Sequence, residues 1–290
     1  MNTIWSDLVQ GTGTLYRSRA LRFDDRFRDK YVSTFALPAD ARILEIGCGP
    51  GALAQALARW YPGASVTGID RDDHFIDFAR ANIPQVDFRT GDATSLDFAD
   101  ASFDVTISNT VSEHVPTVAF YREQYRVLKE GGVCLMLSAR RGINHVAPCL
   151  AQQSDIEQAV WARVEERAQA IDRDAQVGAF AMNEQQHPLA MAKAGFRNIS
   201  TEYITVNLTP DNPGYPPEMA HAMINAHRQT ELDALSYLQN GMQDLVTAHE
   251  LEQMRCHINA RYDARIALYN AGEKQWDTTV CMTMILRGEK

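Results

Sequence analysis

From Ala41 onward, short apolar runs alternate with amphipathic stretches, and each run is closed by glycine, aspartate or asparagine. Runs bounded by such turn formers predict strands at Arg42 to Ile46, Ser65 to Ile69, Val86 to Arg89, Phe103 to Ser108 and Gly132 to Ser138. Between them, GALAQALARWY, DDHFIDFARANI and PTVAFYREQYRVLKEGG carry apolar residues at helical spacing. The last closes on Lys129, Glu130, Gly131 and Gly132, a C-terminal stop. Strands alternating with helices of this length predict a doubly wound α/β fold whose parallel sheet is covered on both faces. Such sheets bind ligands outside the carboxyl ends of their strands, near the point where strand order reverses.

The second half is patterned differently. A helix is predicted from about Ser154 to Arg173, a second over MNEQQHPLAMAKAGF ending at Gly195, and a strand over FRNISTEYITVNL. TPDNPGYPPEM, with four prolines between Thr209 and Pro217, breaks any regular element. Helical patterning runs from about Glu218 to Tyr269, and QWDTTVCMTMILRG reads as a last strand, bringing the mostly parallel sheet to seven. The expected organisation is an N-terminal lid segment at 1–38 and a core at 39–208 plus 276–290 carrying an insertion at 140–183. Residues 209–275 form a helical insert that serves as lid or dimerisation arm, so a homodimer is one expected assembly.

Composition narrows the classes. At 290 residues one core with insertions is favoured over two equal domains. A net charge of −9 and a pI near 5.4 oppose the attraction that drives most nucleic-acid binding, so no nucleic-acid partner is expected. The N-terminal MNTIWSDLVQGTGTLYRSRALRFDD lacks an apolar core of leader length, and no later run is long enough to span a bilayer. The expectation is a cytoplasmic protein with no membrane partner. Five cysteines, none in a CxxC pair, fit free thiols in a reducing compartment.

The stretch ILEIGCGPGAL places Gly47, Gly49 and Gly51 after a strand and at the start of a helix, where backbone approaches a ligand closely and helix amides attract an anion. GCGPGA also satisfies a loose dinucleotide fingerprint, and Asp70 stands where a ribose ligand needs an acid, so the glycines alone do not choose between ligands. Glu45 bears on the choice. Beside a pyrophosphate its carboxylate is repulsive; beside an ammonium group it is attractive. Asp92 in GDAT is placed to accept from an exocyclic amine such as that of adenine, and Asn109 lies at the end of the fourth strand.

Through ILEIGCGPG, VTGID, VDFRTGDATSLDFADASFDVTISN and VLKEGGVCLML, about Ala41 to Ala139, the chain resembles the class I S-adenosylmethionine-dependent methyltransferases. Within them it is most similar to the small-molecule branch that includes the ubiquinone and menaquinone C-methyltransferases. The resemblance implies a Rossmann-like fold, S-adenosylmethionine as cofactor and S-adenosylhomocysteine as product. It implies that Gly47, Cys48, Gly49 and Gly51 meet the methionine moiety and that Glu45 reaches its amino group. Asp70 would take the ribose hydroxyls, Arg71 would lie along the adenine plane, and Asp92 with the Ala93 backbone would read the adenine amine. Asn109 would line the floor beneath the sulfonium, while Tyr16 and Arg17 would cap the methionine carboxylate from an N-terminal lid.

Methyl transfer from a sulfonium is an in-line displacement with an excellent leaving group, so alignment and water exclusion matter more than a strong base. Glu113 and His114 in NTVSEHV are the catalytic candidates; His114 either accepts a proton or packs under the cofactor. Arg140 and Arg141 follow the fifth strand and are candidates to hold an anionic group of the acceptor. His221, His227, His249 and His257 lie in the helical insert without a carboxylate or cysteine arrangement that would make a metal site, and no metal is expected. SNTVSEH departs from the (D/N)PP(Y/F) pattern used on base and glutamine amino groups, and Pro148-Cys149 lacks an appended RNA module to make it an RNA nucleophile. The expected activity is methyl transfer to a small molecule enclosed by a lid. The alternatives are a binding protein for the same cofactor without transfer, an NAD-dependent oxidoreductase and an aminopropyl transferase.

Overall fold

Both faces of the central strands are apolar, so their residues divide between two cores. In the computed structural model, which describes residues 5–290, β1 (Arg42–Ile46) sends Ile43 to one face and Leu44 and Ile46 to the other. Four more strands, β2 (Ser65–Asp70), β3 (Asp87–Thr90), β4 (Phe103–Asn109) and β5 (Leu128–His145), join β1 in parallel. With β6 (Arg197–Leu208) and β7 (Thr278–Glu289) they make a seven-stranded sheet among the described residues, in the order β3-β2-β1-β4-β5-β7-β6. β7 runs antiparallel to both neighbours. The order reverses between β1 and β4, which opens a crevice at their carboxyl ends.

The helices preceding the sheet are α1 (Trp5–Leu8), α2 (Thr12–Arg22) and α3 (Arg28–Phe35); the first four positions of the expected 1–38 lid lie outside the described residues. α4 (Ala52–Trp60), α5 (Asp73–Asn82) and α6 (Thr117–Val127) are the crossovers. Leu53, Leu57 and Trp60 of α4 pack with Phe23, Tyr31 and Phe35 on one face; Phe120 and Val127 of α6 pack with Leu44 and Met136 on the other. Burying such side chains stabilises by about 1.5–3 kcal/mol each.

The fifth strand departs from the expected boundary. It continues past Ser138 to His145, because β7 supplies hydrogen-bond partners as far as the pair His145 and Thr278. The expected insertion at 140–183 therefore begins inside the sheet. ARRGINH hides this from the sequence because most of these residues are exposed and carry no apolar alternation. Gly142 marks the register shift: a side chain there would strike the Val280 carbonyl.

α7 (Pro148–Ala151) and α8 (Asp155–Asp174) follow, then α9 (Gln186–Lys193) ahead of β6. A reciprocal cap starts α8, Ser154 and Glu157 each satisfying the other's backbone amide. The single helical run expected from Glu218 to Tyr269 is two helices, α10 (Pro217–Gly241) and α11 (Ala248–Asn270). Thr247 and Glu250 form a second capping box that starts α11 afresh, while α10 ends at Gly241. Val160, Val164, Leu235, Leu238, Met254 and Ile258 give α8, α10 and α11 an apolar core of their own, outside the two that cover the sheet. Among the described residues no helix is long and apolar enough to cross a membrane.

Candidate active site

The carboxyl ends of β1, β2, β4 and β5 and the residues after β3 surround a cavity of about 630 Å³. Its floor is the glycine loop. Gly47 has φ +67° and carries the Val111 side chain where its own would project. Gly51, φ +89°, opens α4 with Phe88 and Ile83 packed against it; it supports the loop without lining the cavity, whereas Gly47, Cys48 and Gly49 line it. Only glycine meets both the backbone angle and the close approach.

Two acids face this loop in different ways. Asp70, at the end of β2, accepts from the Gly49 amide at 2.8 Å and from the Asp72 amide at 3.0 Å, so it holds the loop and its own turn. Burial pushes its carboxyl up while those amides act against the rise. Glu45 is 2% exposed, and its Oε2 has no hydrogen-bond partner among the described residues. Burial drives its carboxyl well above the usual range, the Ala54 amide opposes this, and the Asp70 charge adds to it. A buried acid without a counter-charge is costly, and a cation bound in the cavity would offset that cost.

Across the cavity, Asp92 is exposed, and its Oδ1 accepts from the Thr94 amide and hydroxyl, both at 2.7 Å, leaving Oδ2 for a ligand; Ala93 and Asn109 line the wall beside it. Arg71 lines the same wall, its guanidinium 5.8 Å from the centre of the Trp5 ring. Trp5 also meets the His114 ring edge-on at 4.7 Å. Its short helix is tied down by Ser6, whose amide and hydroxyl donate to Asp72 at 2.9 and 3.1 Å.

His114 lines the cavity, and its Nδ1 accepts from the Gly178 amide at 2.9 Å. That bond assigns the proton to Nε2 in the neutral ring. Burial lowers its pKa against the pull of Glu113, which keeps the neutral form at pH 7. The ring therefore offers a donor at Nε2, and base action at Nδ1 would break the bond to Gly178. Glu113 also lines the cavity and accepts from the Ser112 hydroxyl at 3.3 Å.

Four candidate residues lie away from the cavity. Tyr16 donates to Gln55 at 2.8 Å and packs on Phe78, and Arg17 turns back to the Gly13 carbonyl at 3.1 Å. Arg140 pairs with Glu184 at 2.9 Å and donates to Ser138, while Arg141 is exposed on the extended part of β5. In their place α2 presents Leu15, Arg19 and then Phe23, spaced four apart along one helix face. That spacing is legible in LYRSRALRF; it puts Tyr16 and Arg17 on another face. Arg19 donates to the Thr110 hydroxyl at 3.0 Å, and burial together with Arg22 lowers its pKa to about 10.

Residues 44–136 match the family model described as a methyltransferase domain. A fatty-acid O-methyltransferase of Mycolicibacterium smegmatis is 40% identical over 102 residues, which is 34% of this chain and 37% of that protein. A demethylmenaquinone methyltransferase of Roseiflexus castenholzii is 31% identical over 144 residues, 48% of this chain and 59% of that one. The chain thus spans less than two thirds of the relatives it matches. Phosphoethanolamine N-methyltransferase 2 of Haemonchus contortus, solved with S-adenosyl-L-methionine, shares the fold with a TM-score of 0.54 at 17% identity, over 99% of this chain and 59% of that one.

Proposed function

We propose, from the premise that residues 44–136 form a class I S-adenosylmethionine-dependent methyltransferase domain, that this chain methylates a small molecule held in this cavity beneath its N-terminal helices. One observation carries the reading: an uncompensated buried carboxylate, Glu45, and a half-buried guanidinium, Arg19, line one cavity around the glycine loop. That pair matches the ammonium and carboxylate of a zwitterionic amino-acid end and repels a pyrophosphate from the Glu45 side. Gly47 lies against Val111, the neighbour of Thr110, so Arg19 reaches the methionine end of the site.

When bound, the cofactor supplies an electrophilic methyl on a sulfonium with a neutral thioether as leaving group. The chain aligns and shields. Glu45 and Arg19 fix the amino-acid end, Asp70 accepts from the ribose hydroxyls with the lone pairs its two amide bonds leave free, and Asp92 with Ala93 meets the adenine edge. Arg71, held on Trp5, covers the adenine face. Leu15, Phe23 and Val111 exclude water from the reacting end. His114 donates from Nε2 and orients the acceptor, and the Glu113 carboxylate takes a proton where the acceptor must lose one. The acidic chain and partly enclosed cavity favour a metabolite over a polynucleotide.

Calorimetric titration with S-adenosylmethionine, S-adenosylhomocysteine and NAD tests the cofactor: the first two alone are expected to bind. NAD binding, or no binding by any, would overturn the reading. A binding protein without transfer would bind both and never consume S-adenosylmethionine with any acceptor.

Glu45→Gln separates binding from stability. Its folded pKa is raised, so the carboxyl stabilises the fold fully below its unfolded value, about 4.3, and that contribution is lost as pH rises toward the folded value. At pH 7.5 the ligand-free variant should therefore melt above wild type by a few degrees, with the gap closing at pH 5. S-adenosylhomocysteine affinity should fall about tenfold or more, as a charge-assisted bond is lost. Equal melting points and affinities would remove Glu45 from the site.

A further inference from the structure

α2 carries two neighbouring cations where the cofactor offers one carboxylate. Arg19 and Arg22 stand three apart on the helix, and neither forms an ion pair among the described residues. Arg19 donates to a neutral hydroxyl, that of Thr110 at 3.0 Å, and the Nε of Arg22 is buried without an acceptor. Elsewhere the fold meets a buried arginine with acids: Arg261 with Glu157 at 2.7 Å and Glu231 at 2.6 Å, and Arg265 with Asp211 at 3.0 Å and Asp277 at 2.6 Å.

Arg22 is close enough to depress the Arg19 guanidinium on its own helix, to oppose the rise of the Tyr31 hydroxyl on α3, and to lower the His227 ring on α10. Of the acids that face this region, Asp277 and Glu231 act on His227 and are committed to Arg265 and Arg261, while Glu113 acts on Arg19. His227 contacts the Thr279 hydroxyl at 3.4 Å. Arg19 and Phe23 line the cavity and stand three before and one after Arg22, so Arg22 lies beside the lining on the same side of the helix, toward Tyr31 and His227. One carboxylate at Arg19 leaves a positive charge at Arg22 in a setting of reduced polarity, where attraction for an anion is strong.

Resting on the cofactor reading above, we infer that the methyl acceptor carries an anionic group, a carboxylate or a phosphate, and that Arg22 receives it. Phe23, the apolar lining residue next to it in the chain, then contacts the acceptor's hydrocarbon portion. The inference concerns recognition and leaves open which acceptor atom takes the methyl.

The probes are octanoate, octyl phosphate, octanol and octylamine, titrated by calorimetry into protein saturated with S-adenosylhomocysteine. Wild type should bind one or both anions at least about tenfold more tightly than octanol or octylamine, as a charge-assisted bond implies; the carboxylate and phosphate arms identify the group. Arg22→Gln should erase that preference, Arg22→Lys should keep most of it, and both should bind S-adenosylhomocysteine within about twofold of wild type. Equal or absent binding of all four probes, or an anion preference that survives Arg22→Gln, overturns the inference. So does loss of S-adenosylhomocysteine affinity in Arg22→Gln, which would assign Arg22 to the cofactor. If wild type itself fails to bind S-adenosylhomocysteine, the cofactor reading falls and this inference with it; cofactor binding without anion preference sinks this inference alone.

Discussion

Asp70→Ala should weaken S-adenosylhomocysteine binding by about two to three powers of ten while leaving the ligand-free protein folded. The carboxylate has two duties. Its Oδ2 takes the Gly49 amide at 2.8 Å and its Oδ1 the Asp72 amide at 3.0 Å, which together shape the glycine loop and the turn after β2. Its remaining lone pairs are those proposed for the ribose hydroxyls. Hydrogen bonds to a charged group contribute about 1.5–3 kcal/mol each, so losing a pair at the lower end of that range corresponds to about a hundred- to a thousandfold in affinity. Stability moves the other way or little, because burial already raises the Asp70 carboxyl and its removal relieves that penalty. Calorimetry and thermal melts on the same preparation read both quantities. Affinity within a few-fold of wild type would show that the ribose sits elsewhere.

Sequence carries the polar residues of the site because each stands at or just beyond the end of an apolar run: Glu45 is the last polar residue of β1, Asp70 ends β2, Asp92 follows β3, and Asn109 ends β4. A parallel sheet brings strand ends together, so their meeting follows from topology without any knowledge of contacts. The N-terminal helix is harder to read. Tyr16 and Arg17 have suitable chemistry, but helical rotation decides which residues meet the cavity, and the Leu15, Arg19, Phe23 stripe has the rotation. Trp5 was not legible at all. Its place depends on Ser6 meeting Asp72, a contact between positions 66 apart in the chain. The tautomer of His114 was equally hidden, since Gly178, which donates to it, comes from the loop after α8. The extension of β5 through ARRGINH has no apolar signature because an antiparallel partner, not apolar alternation, holds it in the sheet.

Arg265→Ala should cost about 3–5 kcal/mol of stability, the range for removing one partner of a buried ion pair, and lower the melting temperature by roughly 10 °C for a chain of this size. Arg265 is fully buried on α11 and bridges the two places where the helical insert leaves and rejoins the sheet. Asp211 follows β6, and Asp277 precedes β7. Asp211 also accepts from the Gln275 and Trp276 amides at 2.7 and 2.8 Å, so the carboxylate stitches both crossings together and Arg265 neutralises it. Removing the guanidinium leaves two acids facing one another with no counter-charge. The α8–α10–α11 core does not depend on this contact and the cofactor end of the sheet lies away from it, so the expected damage is local to the crossings. Limited proteolysis should then cut first within residues 209–216 or 271–277. Arg265→Lys, which keeps the charge but loses the fork, should fall between wild type and alanine. A variant that melts with wild type and resists cleavage at both crossings would show that the insert is held by its apolar packing alone.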